Sequence, residues 1–545
     1  MRKCFSLLSA ILFYYILFAQ TATPPLPSKP KLIVGVIVDQ MRWDFLYRYS
    51  EKYTTGGFKR LLNEGYNCHN AYINYYPSYT ACGHSCVYTG SVPAIHGIAG
   101  NAWFNRGLGR EMTSVEDTTV MRTGNGKLSG KVSPRNILTT TIGDEIHIAN
   151  NFQSKVIGIA LKDRSSVLPA GHTGNAAYFL DGATGNFISS TYYMNELPAW
   201  ATAFNEQKKA AKYLADNWST ILPIAEYWES TADDEHFERP FKGEEKPVFT
   251  HEVSKLANSS LDIIAATPFG NSLSFDFAKA AIENEKLGKG KFTDLLALSL
   301  SSPDLIGHQF GPNSVEVEDC YIRLDKEFAD FLTYLDRQVG KGNYLLFLTA
   351  DHGAAHAAGY SQRSNIPAGS FDIDTVTKQL NTHLAAKFGE GKWILSNENM
   401  QLYVNYDLLQ QRKLSREEIF EPCKQFMMQY ESVTNVIDLE KISAAPLEAN
   451  LKMRYTNGYH PKRSGDFQIV YNPAWLEGFT KGTTHGSPYP YDTHIPLTWF
   501  GWKVKAGQTT NEVYMTDIAP TIAALLQIQE PNGNIGKVIQ GIFGK

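Results

Sequence analysis

Lys31-Leu-Ile-Val-Gly-Val-Ile-Val38 is an uncharged, β-branched run once its lysine is passed, and it stops at Asp39. Three stretches repeat the pattern. Lys155–Leu161 (KVIGIAL) halts at Lys162, Phe292–Leu300 (FTDLLALSL) precedes Asp304, and Tyr344–Thr349 (YLLFLT) leads into Ala350-Asp351. Runs this apolar belong to strands covered on both faces, which is the habit of parallel sheets. Helical patterns lie between them at Gly57–Glu64, Ala278–Leu287 and Val315–Val339, and strand–helix alternation predicts an α/β sandwich. Asp39, Lys162, Asp304 and Asp351 each fall at or just past the carboxyl end of a predicted strand. That is the edge where open α/β sheets bind ligands.

Composition narrows the class. The chain has 545 residues, 43% hydrophobic and 19% charged, which is ordinary globular usage and excludes general disorder. A net charge of −4 gives no basic footprint, so nucleic acid is not an expected partner. Mean hydropathy is −0.27 and there is one long apolar run, which excludes a polytopic membrane protein. That run, Phe5–Ala19, follows Arg2 and Lys3 and exits through small residues, as a secretory signal peptide does. Residues 1–20 are expected to be the signal peptide and 21–30, with Pro24, Pro25, Pro27 and Pro30, a stiff tether. A catalytic unit then occupies 31–545, with insertions at about 165–285 and 365–480. The protein is expected in the periplasm or outside the cell, free of the membrane after cleavage, and as a monomer. Cys68, Cys82, Cys86, Cys320 and Cys423 are too few for a disulfide scaffold, although one or two bridges are permitted.

Several short patterns carry chemistry. Asp304 and His308 are four residues apart, so one helical face can present both to a cation. Asp351-His352-Gly353 ends a strand, and the glycine is expected to let the backbone turn. His485 lies in a Gly/Ser/Pro-rich loop. Thr80, in Pro77-Ser-Tyr-Thr80-Ala-Cys-Gly-His84-Ser-Cys86, is expected at a helix N-terminus, where free N–H groups favour an anion. A hydroxyl there is either a cap or a nucleophile. Lys162 and Arg164, two apart after a strand, are expected on one side of an extended segment.

Taken together and in this order, Asp39, the Thr80 block through His96-Gly97-Ile98, Asn101, Lys162-Asp163-Arg164, Asp304 with His308, Asp351-His352 and His485 resemble the alkaline phosphatase superfamily. The resemblance is to its phosphodiesterase/nucleotide-pyrophosphatase branch, and within it to the phosphate-irrepressible alkaline phosphatases of flavobacterial type. It implies a three-layer α/β sandwich with a mostly parallel central sheet and inserted cap segments. It also implies two zinc ions, one held by Asp39, Thr80, Asp351 and His352, the other by Asp304, His308 and His485. Thr80 would be the nucleophile and become a phosphothreonine, with Asn101, Lys162 and Arg164 on the phosphoryl oxygens. Two cations beside the phosphoryl group favour monoester dianions over diester monoanions. The expected activity is therefore hydrolysis of small phosphate monoesters to inorganic phosphate, with a phosphodiesterase or nucleotide pyrophosphatase as the alternative. A sulfatase is disfavoured, because Cys82-Gly-His-Ser-Cys86 lacks the Pro and Arg that accompany formylglycine formation.

Overall fold

The computed structural model describes residues 28–258 and 260–543. The expected signal peptide and the tether up to residue 27 lie outside the described residues. The main sheet has ten strands: β1 Leu32–Val38, β2 Tyr66–Tyr72, β3 Arg122–Thr123, β4 Val156–Ile159, β5 Ala176–Asp181, β6 Asn186–Ser190, β7 Asp294–Leu300, β8 Tyr344–Thr349, β9 His494–Gly501 and β10 Gly507–Tyr514. Their order is β10-β2-β9-β8-β1-β7-β4-β5-β6-β3. The middle five, β8-β1-β7-β4-β5, are mutually parallel, while β9 and β6 run antiparallel to them on the two sides. The α/β class and the mostly parallel sheet are as the sequence predicts.

β1, β7 and β8 are buried at every position, so their apolar runs are the signature of two covered faces. Register brings the site together. Ile37 stands level with Ser299 on one side and Thr349 on the other. Asp39, two residues further on, therefore emerges beside Ser301 and Asp351. Four helices matter here: α1 Thr80–Thr89, α2 Asp163–Ala170, α3 Ser302–Phe310 and α4 Val315–Leu335. Every residue of α1 is buried, so it is a central element of the core rather than a surface layer.

The stretch expected as a first insertion begins differently. β5 and β6, at 176–190, are strands of the main sheet. β5 is buried on both faces, so alternation is missing from its sequence, and Ala176-Ala-Tyr-Phe-Leu-Asp181 opens on two alanines and has no β-branched residue to mark it as a strand. Within 365–480 the chain builds a second, four-stranded sheet in the order Ile394–Ser396, Gln401–Val404, Phe467–Tyr471, Val433–Asp438. Helices Ile373–Phe388 and Arg416–Met427 cover it around a separate core that includes Leu380, Leu402, Ile419 and Ile469. Cys68, Cys82, Cys86, Cys320 and Cys423 are all buried and unpaired, so none of the permitted bridges forms among the described residues. No helix among the described residues is long and apolar enough to cross a membrane.

Candidate active site

Thr80 is the first residue of α1, and the N-cap position belongs to Tyr79, whose side chain makes no capping bond. The Thr80 hydroxyl is thus not spent on capping. It is buried and stands 3.4 Å from His352 Nε2. Gly83, one turn along the same face, explains the close approach: a Cβ there would lie 2.5 Å from both the Cβ and the carbonyl oxygen of Asp351. Asn101 fixes the start of the helix by accepting the Ala81 N–H on Oδ1 at 2.9 Å. With its oxygen engaged, the Asn101 amide has its –NH2 to offer a ligand.

Around this hydroxyl the strand ends converge. Asp39 Oδ1 is 3.4 Å and Asp351 Oδ2 3.6 Å from His352 Nε2. On α3, His308 Nε2 is 3.2 Å from Asp304 Oδ1, and His485 Nε2 is 3.6 Å from the same oxygen. Two sets of three donors are close enough to share a cation, Asp39/Asp351/His352 and Asp304/His352/His485. His352 belongs to both, and its ring stacks on that of His485 with centroids 3.4 Å apart. The two expected ligand sets thus form one continuous cluster.

Zinc fits these residues by three observations. Ligands about 2.0–2.1 Å from a tetrahedral zinc stand about 3.3–3.4 Å from one another, close to the spacings above. Each imidazole has its Nδ1 against a backbone carbonyl: His308 on Thr483 at 2.8 Å, His352 on Gly353 at 3.0 Å and His485 on Ser78 at 2.9 Å. That assigns the proton to Nδ1 and aims the Nε2 lone pair at the carboxylates, the tautomer a metal requires. Asp39 Oδ1 and Asp351 Oδ2 are moreover buried without a hydrogen-bond partner. Charge points the same way. Burial, reinforced by the Asp351 charge, holds Asp39 well above the usual carboxylate range. Burial would also raise Asp351 and Asp304, but His352 and His84 pull the first down, and His308 and Lys162 the second. Burial pushes His352 and His485 below the ordinary imidazole value.

Lys162 and Arg164 sit differently from the expectation. Lys162 is the N-cap of α2 and Arg164 lies in its first turn, so the segment is helical and the extended-strand argument for a common side does not apply. Lys162 Nζ bridges one carboxylate from each set, at 2.6 Å from Asp39 Oδ2 and 2.5 Å from Asp304 Oδ2. Its pKa is raised: burial opposes the charge, but Asp304 and Asp39 outweigh it, and Arg164 is near enough to oppose them. Arg164 Nε is buried without a partner, and Nη1 is 3.9 Å from Asp163. Gly353 also departs from its expected role. It does not occupy the left-handed region; it is needed because a Cβ would lie 2.3 Å from the Tyr491 carbonyl oxygen.

Residues 33–494 match the family described as type I phosphodiesterase / nucleotide pyrophosphatase. The chain belongs to that family. A Myroides odoratus protein named "Calcium-transporting ATPase" is 49% identical over 528 residues, 96% of each chain. Alkaline phosphatase PhoV of Synechococcus elongatus is 47% identical over 520 residues, 95% of this chain and 94% of that one. The crystal structure of wild-type alkaline phosphatase PafA superposes with a TM-score of 0.93 at 44% identity, covering 95% of this chain and 100% of the other.

Two residues of this family member were missed by the sequence reading. Gln40 has a left-handed backbone (φ 64°), rare for a residue with a side chain, and is buried. Its backbone N–H donates to Asp351 Oδ1 at 3.2 Å and its side-chain Nε2 to Asp304 Oδ1 at 2.6 Å, so one residue orients a carboxylate from each set, the second through its side chain. Gly307 makes room for it, since a Cβ would lie 2.0 Å from Gln40 Oε1. His84 faces the Thr80 carbonyl at 2.9 Å, Ser299 Oγ at 2.9 Å and Asp351 Oδ2 at 3.3 Å. A lone glutamine after a strand carries no motif signal; only the coordinates reveal its two partners. Gln40→Ala is expected to weaken retention of a cation held through Asp304 about 10–100-fold, the usual cost of losing a ligand's orienting partner. Competition with a chelator measures it, and unchanged affinity would remove Gln40 from this role.

Proposed function

We propose that the chain is a secreted or periplasmic zinc-dependent alkaline phosphatase that hydrolyses phosphate monoesters through a phosphothreonine at Thr80. The observation that carries this reading is an uncommitted hydroxyl, Thr80 Oγ1, meeting the unpartnered oxygens of Asp39 and Asp351 around His352 Nε2. Asp39, Thr80, Asp351 and His352 would hold one zinc and Asp304, His308 and His485 the other. When bound, such ions lower the pKa of a coordinated hydroxyl and neutralise charge on a leaving oxygen. The names of the PhoV and PafA relatives add support at near full-length coverage. The name of the Myroides odoratus relative is not carried over.

In the first half-reaction Thr80 Oγ1 forms a bond to phosphorus as the bond from phosphorus to the alcohol oxygen breaks. In the second, a water oxygen displaces Thr80 and inorganic phosphate leaves. α1 holds Thr80 at its N-terminal end, where the helix dipole favours negative charge. Asn101 would donate its –NH2 to a phosphoryl oxygen, and the Lys162 and Arg164 charges would meet the equatorial oxygens. Positioned donors of this kind act most strongly on charge that develops in the transition state. A monoester carries more of that charge than a diester, so the two cations set the preference. The signal peptide at 1–20, monomeric state and small-molecule partners belong to the same proposal.

Rates on an aryl phosphate and on its methyl diester test the substrate class. Arg164→Ala should lower monoester kcat/KM by about 10²-fold and diester kcat/KM by far less. Equal losses on both would refute the cationic basis of the preference, and a faster rate on the diester would make the protein a phosphodiesterase.

A further inference from the structure

Away from the cation cluster, a cleft of about 480 Å3 opens between the hairpin Ala102–Asn105/Arg110–Thr113, the loop at Arg135-Asn136 and Lys462-Arg463 in the loop before the Phe467–Tyr471 strand. Its walls carry five lysine and arginine side chains but only two carboxylates. The carboxylates are taken: Glu116 pairs with Arg110 at 2.5 Å, and Asp117 with Arg135 at 2.9 Å. A third arginine, Arg106, turns to Asp466 at 2.7 Å, outside the lining. Lys462 and Arg463 have no carboxylate partner among the described residues.

Arg463 is the more telling of the two. Its guanidinium lies 4.9 Å over the Trp103 ring and donates from Nη1 to the carbonyls of Asn136, at 2.7 Å, and Gly97. Carbonyl oxygens satisfy the N–H groups without cancelling the charge. Burial pushes its pKa down to about 10, with no acid opposing the shift. A half-buried guanidinium stacked on an aromatic ring and flanked by a solvent-facing lysine lowers its free energy by taking an oxyanion. The cleft volume lies in the range of about 300–1,000 Å3 typical of small-molecule sites and exceeds the needs of one phosphate group.

We propose that this cleft binds a compact, multivalent oxyanion, a polyphosphorylated or polysulfated small molecule, at a site separate from the Thr80 centre. The hairpin starts at the residue after Asn101, and the Ser114 N–H holds the Asn101 carbonyl at 2.8 Å, so the two sites share a chain segment but no side chain.

Calorimetric titration of the zinc-loaded protein with myo-inositol hexasulfate, which a phosphatase does not hydrolyse, tests this. One binding event is expected, persisting when orthophosphate saturates the catalytic centre and weakening as salt is raised. Lys462→Glu, at an exposed position that leaves the fold intact, should weaken it about tenfold or more, and Arg463→Lys should weaken it with Lys462 untouched. Loss of the event in orthophosphate would assign it to the catalytic centre and overturn the proposal. So would indifference to Lys462→Glu, or inorganic sulfate binding as tightly as the hexasulfate. Because the readout is binding, it stands or falls independently of phosphatase activity.

Discussion

Thr80→Ala should lower kcat on an aryl phosphate by about 10⁴-fold or more, the scale on which removal of a nucleophile acts. The substitution deletes a hydroxyl and a methyl from a buried helix start, removes the 3.4 Å contact to His352 Nε2, and leaves the three carboxylates and three histidines themselves in place. Because Tyr79 occupies the N-cap position, no capping bond is lost, and the usual penalty of about 1 kcal/mol for removing a cap does not apply. The loss should therefore appear in turnover far more than in the thermal stability of the metal-free chain. Thr80→Ser, which keeps the oxygen, should stay within about tenfold of the parent. Acid quenching during turnover of a labelled monoester should trap label on Thr80 in the parent and none in the alanine variant. An alanine variant with unchanged kcat would remove the covalent step.

Depletion of metal is the second large effect. Asp39, Asp304 and Asp351 are buried together, and among the described residues Lys162 is the one ammonium paired with any of them, at Asp39 and Asp304. Three carboxylates against a single lysine leave an excess of negative charge in a dry site, which costs several kcal/mol unless cations balance it. A cation that binds the folded chain at about 1,000 times its Kd contributes about 4 kcal/mol of stability by mass action. Exhaustive chelation should thus abolish turnover and lower the Tm, and zinc should restore both together. Full activity in a metal-free preparation would refute the assignment of Asp39, Asp304, His308, Asp351, His352 and His485 as ligands.

Much of this was legible before any coordinates. Strands covered on both faces leave unbroken apolar runs, and β1, β7 and β8 are of that kind; their ends locate Asp39, Asp304 and Asp351. The i,i+4 spacing on α3 is equally local, and it brings His308 to Asp304. What the sequence hid depends on distant partners. β5, as long and as buried as β8, opens on two alanines and has no β-branched residue, so it does not read as a strand. Gln40 acquires meaning only from Asp304 and Asp351, 264 and 311 residues away. Lys162 reads as a strand exit, but α2 begins there and turns its ammonium onto the carboxylates. Gly83 looks like a weak point in a helix until the Asp351 backbone is found against it.

Anomalous diffraction at the zinc edge, from crystals of the zinc-loaded protein, tests the central claim most directly. Two peaks are predicted, one among Asp39, Thr80, Asp351 and His352 and the other among Asp304, His308 and His485. A single peak, or peaks away from these side chains, would contradict a two-cation centre at Thr80.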